Sequence, residues 1–590
     1  MLSREVIDAS RRSRFDPVQL EVLWSRLISI VEEAETTLVR TSFSPTVGEA
    51  ADHAAALLDV KGQILAQTPH GLPAFIAILG RTTRTMLEYF PPETLRPGDV
   101  LITNDPWICA GHLPDINLLR PIFFKGKLVA FAANTAHLND VGGRGSAESV
   151  DIFEEGLRIP PSKLFRAGEP NEDLFNIIRA NSRTPKLIIG DINAQLAANV
   201  IAEKRLVEMM EEYAFDDLQP LSDEIQERTE RAMRAVIEPL PDGDYHGEVI
   251  SDGYDEPLAI RVTVRIRGSD AMVDYEGTSA QVPRAINCPF NLTYAETMFP
   301  FRCIAPHIPM AEGALRPIQV VAPDGTIVNP RFPAAVLRRT IVIHNAQAAI
   351  FQALSALVPD HLPPDRVTAH SGCIYAFWLR GRWEGVPAAY KRGFVPVEEG
   401  YHQIYLFNGG QGAHASQDGH GTLSMPDNCS NVPVEVCEYR LPLLFERKEI
   451  IRDSGGPGRF RGGCGQRIVV RSLADWPIMC LPGSVDRIQH PPIGLLGGYP
   501  GRAGRLTYND TLPMHPRAAT ILQPGDRFCM EAPGGGGVYP PEERDPETVA
   551  RDVADGLVSR EQAWEVYRVE LTPEGTMDAA ATARLRAGGR

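Results

Sequence analysis

The pattern of the chain changes at Gly243, and this change limits the folds that it can adopt. Before Gly243, apolar residues recur at helical spacing, whereas after it short β-branched runs alternate with Asp-Gly and Gly-Ser turns. Gly- and Pro-dense loops then dominate residues 409–537. We therefore predict an α+β, multi-domain protein in which an N-terminal α/β region packs on a β-rich, Gly-loop-rich middle and C-terminal part.

The length of the chain supports more than one core. Its 590 residues exceed the size at which a single hydrophobic core stops growing. We predict an N-terminal α/β region over residues 1–240, a β-rich region over 241–540, and a C-terminal helix and tail over 541–590. Within the last region the helix is expected at about 545–568, and the polar Ala/Arg tail after it is expected to be disordered.

The helices and strands of the first two regions are predicted from capping signals and apolar spacing. Asp16-Pro17 is typical of a helix start, and apolar residues follow at helical spacing from Leu20 to Leu38. Other helices are predicted at about 74–89, 188–212, 221–238 and 341–358. Strands are predicted at 54–58, 63–67, 248–251, 259–266 and 272–275, the first two forming a hairpin.

Composition excludes several classes of protein. The chain has 75 acidic and 59 basic residues, a formal net charge of -16 and no basic run, which argues against a nucleic-acid partner. Its apolar stretches are too short to span a membrane, and its first residues lack the apolar core of a signal peptide, so we expect a cytoplasmic protein. Nine cysteines without a CxxC pair indicate neither a disulfide framework nor a Cys-based zinc site.

Residues 104–143 contain the most informative pattern in the chain. Two apolar runs, 116–124 and 128–135, flank Lys-Gly-Lys, which suits a tight hairpin turn. If the turn is centred on Gly126, the numbers of paired residues add up to about 252, and Asp115 lies opposite His137. His112 lies just before the first of these strands, in a Gly-flanked loop that can fold back.

Two imidazoles and a carboxylate that converge suit a divalent transition metal. Zn²⁺, Mn²⁺ and Fe²⁺ all accept this ligand set, and positions remain open for water or substrate, as in a catalytic site. The alternative is that His112, Asp115 and His137 only cap strand ends. A fourth ligand is expected from Asp52, at the mouth of the first hairpin, with His53 and Glu49 as substitutes.

Further polar side chains fall in loops where substrates often bind. The residues that we predict to contact the substrate are His70, Asp418, Arg459 and Arg461. With His414 and His420, Asp418 also forms a second possible ligand cluster, although a solvated loop is the simpler interpretation. The glycine runs at 454–465 and 533–537 favour tight turns over a phosphate cradle, because no Lys-Ser/Thr follows either run.

Several ordered motifs resemble the hydantoinase B/oxoprolinase family. They are NDPW...GHLPD (104–115), IFEEGLRIPPSKLF (152–165), PRFPAAV (330–336), NVPVEVCEYRLP (431–442), DSGGPGRFRGGCG (453–465), PGGGG (533–537) and RDPETVARDVADGLVSREQAWEVY (544–567). The resemblance covers nearly the whole chain. It departs from the common pattern at VGEAADHA (47–54) and LRRTIVIHN (337–345).

The resemblance implies a function, a metal site and a partner. The metal ligands it implies are Asp52, His112, Asp115 and His137. It also implies a hydantoinase-A-type partner that binds ATP and phosphorylates a small cyclic amide, which this chain then hydrolyses within a hetero-oligomer. No nucleotide-binding fingerprint occurs in the sequence, which fits ATP binding by the partner. The alternatives are a subunit of an ATP-dependent ketone carboxylase and a non-catalytic scaffold subunit.

Overall fold

The computed structural model of the protein describes residues 15–69, 71–72, 75, 77–382, 400–423, 425–426, 429 and 431–588. The first sheet is antiparallel and has seven strands in the order β2-β1-β5-β4-β3-β6-β7. Its strands are β1 (His53–Leu58), β2 (Ile64–Gln67), β3 (Val100–Thr103), β4 (Asp115–Phe124), β5 (Lys127–His137), β6 (Ser162–Arg166) and β7 (Glu169–Pro170). Both predicted hairpins, β1–β2 and β4–β5, are confirmed.

Helices cover both faces of this sheet. They are α1 (Pro17–Thr41), α2 (Pro45–Gly48), α3 (Ile78–Tyr89), α4 (Glu172–Ala180), α5 (Pro185–Glu212) and α6 (Gln219–Ile237). Helix α1 packs on α5, and their apolar residues share a core with one face of the sheet. Helix α3 packs on the other face. As predicted, Asp16 caps α1 by accepting hydrogen bonds from the backbone N–H groups of Val18 and Gln19.

A second, four-stranded sheet begins at the predicted change of pattern. Its strands are β8 (Gly243–Ser251), β9 (Leu258–Arg267), β10 (Asp270–Asp274) and β11 (Ile318–Val321), and its helices are α7 (Phe290–Ile304) and α8 (Thr340–Ser355). Helix α8 lies across β8 and β9. The approach is so close that a side chain at Gly247 would meet the backbone of Ala349.

Two more sheets pack against each other in the last third of the chain. The remaining strands are β12 (Ile374–Arg382), β13 (Gly400–Asn408), β14 (Leu443–Ile450), β15 (Gln466–Ser472), β16 (Ile478–Pro482), β17 (Arg505–Tyr508), β18 (Leu512–Pro513), β19 (Thr520–Leu522) and β20 (Arg527–Glu531), with helix α9 (Val434–Arg440) between β13 and β14. One sheet has the order β13-β12-β16-β19 and the other β14-β15-β20-β17-β18. Phe377 and Phe528 stack between them at 5.4 Å.

The glycine-rich loops form a closely packed layer of backbone. The N–H groups of Gly535, Gly536 and Gly537 donate to the carbonyls of Gly463, His370 and Tyr499 at 2.8–2.9 Å. An added Cβ at Gly535 would lie 2.0 Å from the carbonyl oxygen of Gln411. These N–H groups are therefore used within the fold, which argues against a phosphate cradle, but their partners lie in remote loops and not in the tight turns that we expected.

The C-terminal region differs from the prediction of one helix and a disordered tail. It contains three helices, α10 (Pro546–Ala554), α11 (Arg560–Glu565) and α12 (Ala579–Ala587). The chain turns at Gly556, whose φ of 75° ends α10. Asp578 caps α12 by accepting a hydrogen bond from the N–H of Ala581, a signal that the Ala/Arg composition obscured.

The α+β, multi-domain architecture is confirmed, whereas the boundaries at 240/241 and 540/541 stay predictions. None of the helices that the structure describes is long and apolar enough to cross a membrane. All nine cysteines are described, and all are free thiols.

Candidate metal centre and its cavity

The ends of three neighbouring strands place the candidate ligands together. In the β4–β5 hairpin, Asp115 lies opposite His137, as the turn at Gly126 predicts. Strand β1 pairs with β5 on its other side, and the N–H of His137 donates to the carbonyl of Asp52 at 3.0 Å. The loop before β4 brings His112 back over Asp115. The four residues predicted as ligands therefore meet at one end of the first sheet.

The side chains of His112, Asp115 and His137 converge within a few ångströms. Asp115 Oδ1 lies 2.8 Å from His112 Nε2 and 3.1 Å from His137 Nδ1. One candidate ligand atom from each of the three lies within 4.8 Å of the others, and all three residues are buried. Asp52 Oδ2 lies 3.7 Å from His137 Nδ1, at the more exposed side of the cluster.

The imidazole of His112 is oriented for metal binding. Its Nδ1 lies 3.1 Å from the backbone carbonyl oxygen of Leu337, which accepts a hydrogen bond only if Nδ1 carries the proton. In that tautomer Nε2 has a free lone pair that faces Asp115 Oδ1 at 2.8 Å, so no proton lies between these two acceptor atoms. Burial and the nearby Arg339 charge lower the pKa of His112 to about 3, so that the ring stays neutral.

Asp115 remains ionised despite its burial. Although burial alone would raise the pKa of its carboxyl, the contacts with His112 and Arg339 lower it below its ordinary value. Arg339 Nη2 donates to Asp115 Oδ2 at 2.7 Å, which leaves Oδ1 for the two imidazoles. A neutral imidazole with a free lone pair beside an ionised carboxylate is the donor set that a divalent transition metal requires. The residues present therefore fit a metal ion.

The alternatives to Asp52 lie outside this cluster. His53 Nδ1 is 3.5 Å from Glu35 Oε1 on α1, and burial lowers the pKa of His53 to about 4. Glu49 is exposed. Neither of them lines the cavity next to the cluster, whereas Asp52 does.

The cluster lies in the wall of a cavity that distant parts of the chain enclose. Besides the candidate ligands, its lining includes Glu155, Arg338, Arg339, Trp378, Arg380 and His402. Strands β12 and β13 therefore face the hairpin across the cavity. Burial raises the pKa of Glu155 to about 8, although Oε1 accepts hydrogen bonds from the N–H groups of Val336 and Leu337.

The sequence did not lead to these additional cavity residues. Arg339 and Glu155 act on the site through contacts with residues about 180 or more positions away. The one available signal was the Arg-Arg pair at 338–339 in an otherwise apolar segment. Charged residues are rarely buried without a partner or a function, so such a pair indicates a polar site.

The side chains predicted to contact the substrate lie elsewhere, and their role in binding stays a prediction. Asp418 accepts from Arg544 Nη1 and Nη2 at 2.7 and 2.6 Å and from the backbone N–H of Arg461 at 2.7 Å. Arg461 is buried beside Asp552, whereas Arg459 is exposed. None of the three lines the cavity. These ion pairs instead join the glycine-rich loops to the C-terminal helices.

Two further predictions concern histidines. His70 lies outside the described residues. His414 contacts Gln411, and His420 is exposed. Among the residues that the structure describes, only His112, Asp115 and His137 form a group with metal-ligand spacing, so His414, Asp418 and His420 do not form the second cluster.

The fold and the site define a multi-domain α+β protein with a buried His–Asp–His cluster able to hold a divalent cation. Residues 16–541 match the model of the hydantoinase B/oxoprolinase family. The chain belongs to this family, as its motifs indicated.

Individual relatives support the same assignment. The caprolactamase subunit beta of Pseudomonas jessenii is 32% identical over 596 residues, which cover 97% of this chain and 99% of the relative. The crystal structure of the ATP-dependent caprolactamase from Pseudomonas jessenii superposes with a TM-score of 0.86 at 30% identity, over 97% of this chain and 100% of that one. The nucleotide-free structure of acetone carboxylase shares the fold, with a TM-score of 0.83 at 22% identity over 97% and 83% of the two chains.

Proposed function

We propose that this chain is the metal-dependent subunit of an ATP-dependent cyclic amide hydrolase, and that it hydrolyses a substrate phosphorylated by a partner subunit. The observation that carries the proposal is the buried convergence of two imidazoles and an ionised carboxylate in the wall of a cavity. The family, hydantoinase B/oxoprolinase, and the relative named as a caprolactamase subunit support the substrate class.

The residues of the cluster would hold the metal. The ligands are Asp52, His112, Asp115 and His137, and zinc, manganese or iron would suit them. When bound, such an ion supplies a Lewis acid and lowers the pKa of a water molecule.

The surrounding residues prepare the ligands and the reaction space. The Leu337 carbonyl holds His112 in one tautomer, and Arg339 keeps Asp115 ionised and oriented. The apolar side chains beside Trp378 would reduce the number of water molecules around an activated substrate in the cavity.

The partner in this proposal is a hydantoinase-A-type subunit that binds ATP. Two observations support a separate ATP site. The caprolactamase relative is named as one subunit of its enzyme, and the caprolactamase of known structure is ATP-dependent. The glycine runs of this chain use their own N–H groups in the fold. Mixing experiments test this point, because neither chain alone should release product from hydantoin, 5-oxoproline or caprolactam with ATP.

The metal is tested by comparing two histidine substitutions in the complex with the partner. Wild type should contain about one divalent metal ion per chain, and His112→Ala should lose both the ion and ATP-dependent turnover. His420→Ala is the matched control, since His420 is exposed and does not line the cavity, and it should keep both the ion and turnover. An active wild-type complex without metal would refute the proposal.

The second candidate function is that of a subunit of an ATP-dependent ketone carboxylase. The fold shared with acetone carboxylase is the observation that favours it. The two functions differ in their requirement for bicarbonate. A complex that turns over a ketone only with bicarbonate, and that leaves cyclic amides intact, would select the carboxylase.

A further inference from the structure

Three arginines line one part of the cavity, and two of them lack a counter-ion. Arg339 is paired with Asp115. Within the described part of the chain, Arg338 and Arg380 form no ion pair, although both line the same cavity. A buried guanidinium without a carboxylate is costly, because its desolvation is not offset by a partner.

Arg338 is almost fully buried and has an unused donor. It is 3% exposed, and its Nη2 donates to the carbonyl of Gly145 at 2.7 Å. Its guanidinium carbon lies 3.4 Å from the ring centroid of Trp378, so the planar group rests on the indole. Its Nε–H is buried and has no hydrogen-bond partner. Burial lowers the pKa of Arg338 to about 9.

Arg380 approaches the same place from strand β12. Its Nη1 donates to the carbonyl of Arg144 at 3.2 Å, and its Nε donates to His402 Nδ1 at 3.3 Å. Its Nη2 is buried without a partner, close enough to Gly145 that a Cβ there would lie 2.5 Å away. Both guanidinium groups therefore lie beside Gly145, and each has an N–H donor without a partner among the described residues.

The nearby carboxyl groups do not neutralise this pair. Asp140 is bound by Arg183, at 2.5 Å from its Nη1. Glu155 has a pKa raised by burial to about 8, and its Oε1 accepts from two backbone N–H groups. Among the residues that the structure describes, nothing compensates the charge of the pair or uses its remaining donors, and both properties point to a negatively charged ligand.

We propose that Arg338 and Arg380 form an anion-binding subsite that holds a carboxylate or phosphate group of the substrate. Guanidinium groups bind either oxyanion through two N–H donors. This inference rests on the proposed function, because it describes the substrate of the same cavity. Leu337, whose carbonyl orients His112, precedes Arg338 directly, so one backbone segment positions both the subsite and a candidate metal ligand.

The subsite is tested by calorimetric titration of the metal-loaded full chain with inorganic phosphate and, separately, with succinate. Wild type should bind one or both, and Arg338→Met and Arg380→Met should each weaken that binding by about tenfold or more. Arg447→Met is the matched control, because Arg447 lies on an exposed strand surface, and it should bind as wild type does. Binding of phosphate alone assigns the transferred phosphate to the subsite, whereas binding of succinate alone assigns a substrate carboxylate.

Two results would overturn the subsite. One is no binding of either anion to wild type. The other is unchanged binding in both arginine variants, and a loss of binding in His112→Ala would then assign the anion to the metal. Arg380 is only partly buried, so its variant keeps the test decisive if Arg338→Met fails to fold. The titration needs neither ATP nor partner, so its outcome is independent of whether the complex hydrolyses cyclic amides.

Discussion

Asp115 shows how much a single residue of this site depends on its neighbours. One of its oxygens faces two imidazoles, and the other accepts from Arg339. The pairing of Asp115 with His137 could be predicted, because the Lys-Gly-Lys turn sets the register of its hairpin. The contact with Arg339 could not, since it joins residues 224 positions apart through tertiary packing.

Replacing Arg339 should weaken metal binding without removing a ligand. In Arg339→Met, Asp115 loses the donor that orients it, and we expect about ten- to a hundredfold lower metal affinity. Competition with a chelating dye measures this change. Arg339→Lys is the control that keeps the positive charge but lacks the planar guanidinium group. Its metal affinity should lie between those of wild type and Arg339→Met. Equal affinity in all three proteins would show that Arg339 does not position the ligand.

Glu155 should make the stability of the protein depend on pH. Its pKa rises from 4.5 to about 8 on folding, so the folded state favours the protonated form. Stability is therefore lost as pH rises from about 4.5 to about 8, at up to ~1.4 kcal/mol per pH unit. Glu155→Gln stays neutral and should reduce this loss. Denaturant unfolding of both proteins at several pH values measures how steeply stability falls with pH.

The control for Glu155 is an exposed glutamate. Glu276→Gln, at a fully accessible position, should leave the pH profile of wild type unchanged. A profile in Glu155→Gln that is identical to that of wild type would mean that Glu155 does not titrate in this range.

At the scale of elements, local signals predicted most of the N-terminal region. The Asp16 cap, the apolar spacing of α1 and the two hairpin turns are all short-range patterns, and each is confirmed. The C-terminal helices were predicted less well. A turn at Gly556 divides the expected helix, and the helicity of the Ala/Arg segment depends on its Asp578 cap and on contacts of Arg586 with Arg544.

The β4–β5 turn should contribute to stability independently of the metal. Gly126 has a φ of 80°, and open space surrounds it, so Gly126→Ala adds only backbone strain. We expect a loss of about 1 kcal/mol in the free energy of unfolding, with metal content unchanged. Urea unfolding and metal analysis test both parts. Loss of the metal in this variant would show that turn geometry controls the site.

At the scale of the whole molecule, packing between distant segments was beyond sequence reasoning. The glycine-rich layer has few side chains whose pattern could reveal its neighbours, and its order depends on backbone hydrogen bonds between remote loops. The arginines predicted to bind substrate illustrate the same limit. Arg461 lies in a glycine-rich loop of the kind that often binds ligands. Its guanidinium group instead lies beside Asp552 of α10, and nothing in the sequence indicated this contact.

Removing Arg544 should destabilise the contact between these distant parts. Arg544 is 2% exposed and pairs with both Asp418 and Asp552. Arg544→Met removes the arginine that both carboxylates share and leaves Asp552 only the contact with Arg461 at 3.7 Å. We expect a loss of about 3–5 kcal/mol in the free energy of unfolding. Thermal unfolding measures this loss of stability. The control is Arg551→Met, at an exposed position of α10, which should unfold at nearly the same temperature as wild type. A mild effect of Arg544→Met would show that water can replace the ion pairs.

The hydrogen bond between His112 and the carbonyl of Leu337 has a consequence for synthesis of the chain. All four candidate ligands leave the ribosome long before residues 337–339, which fix the tautomer of His112 and hold Asp115. A cation captured by the nascent hairpin would meet ligands that still rotate freely, and it would meet Asp115 without the neighbouring positive charge of Arg339. If the centre holds a metal as proposed, its selectivity would thus be established late, when the middle of the chain docks onto its beginning.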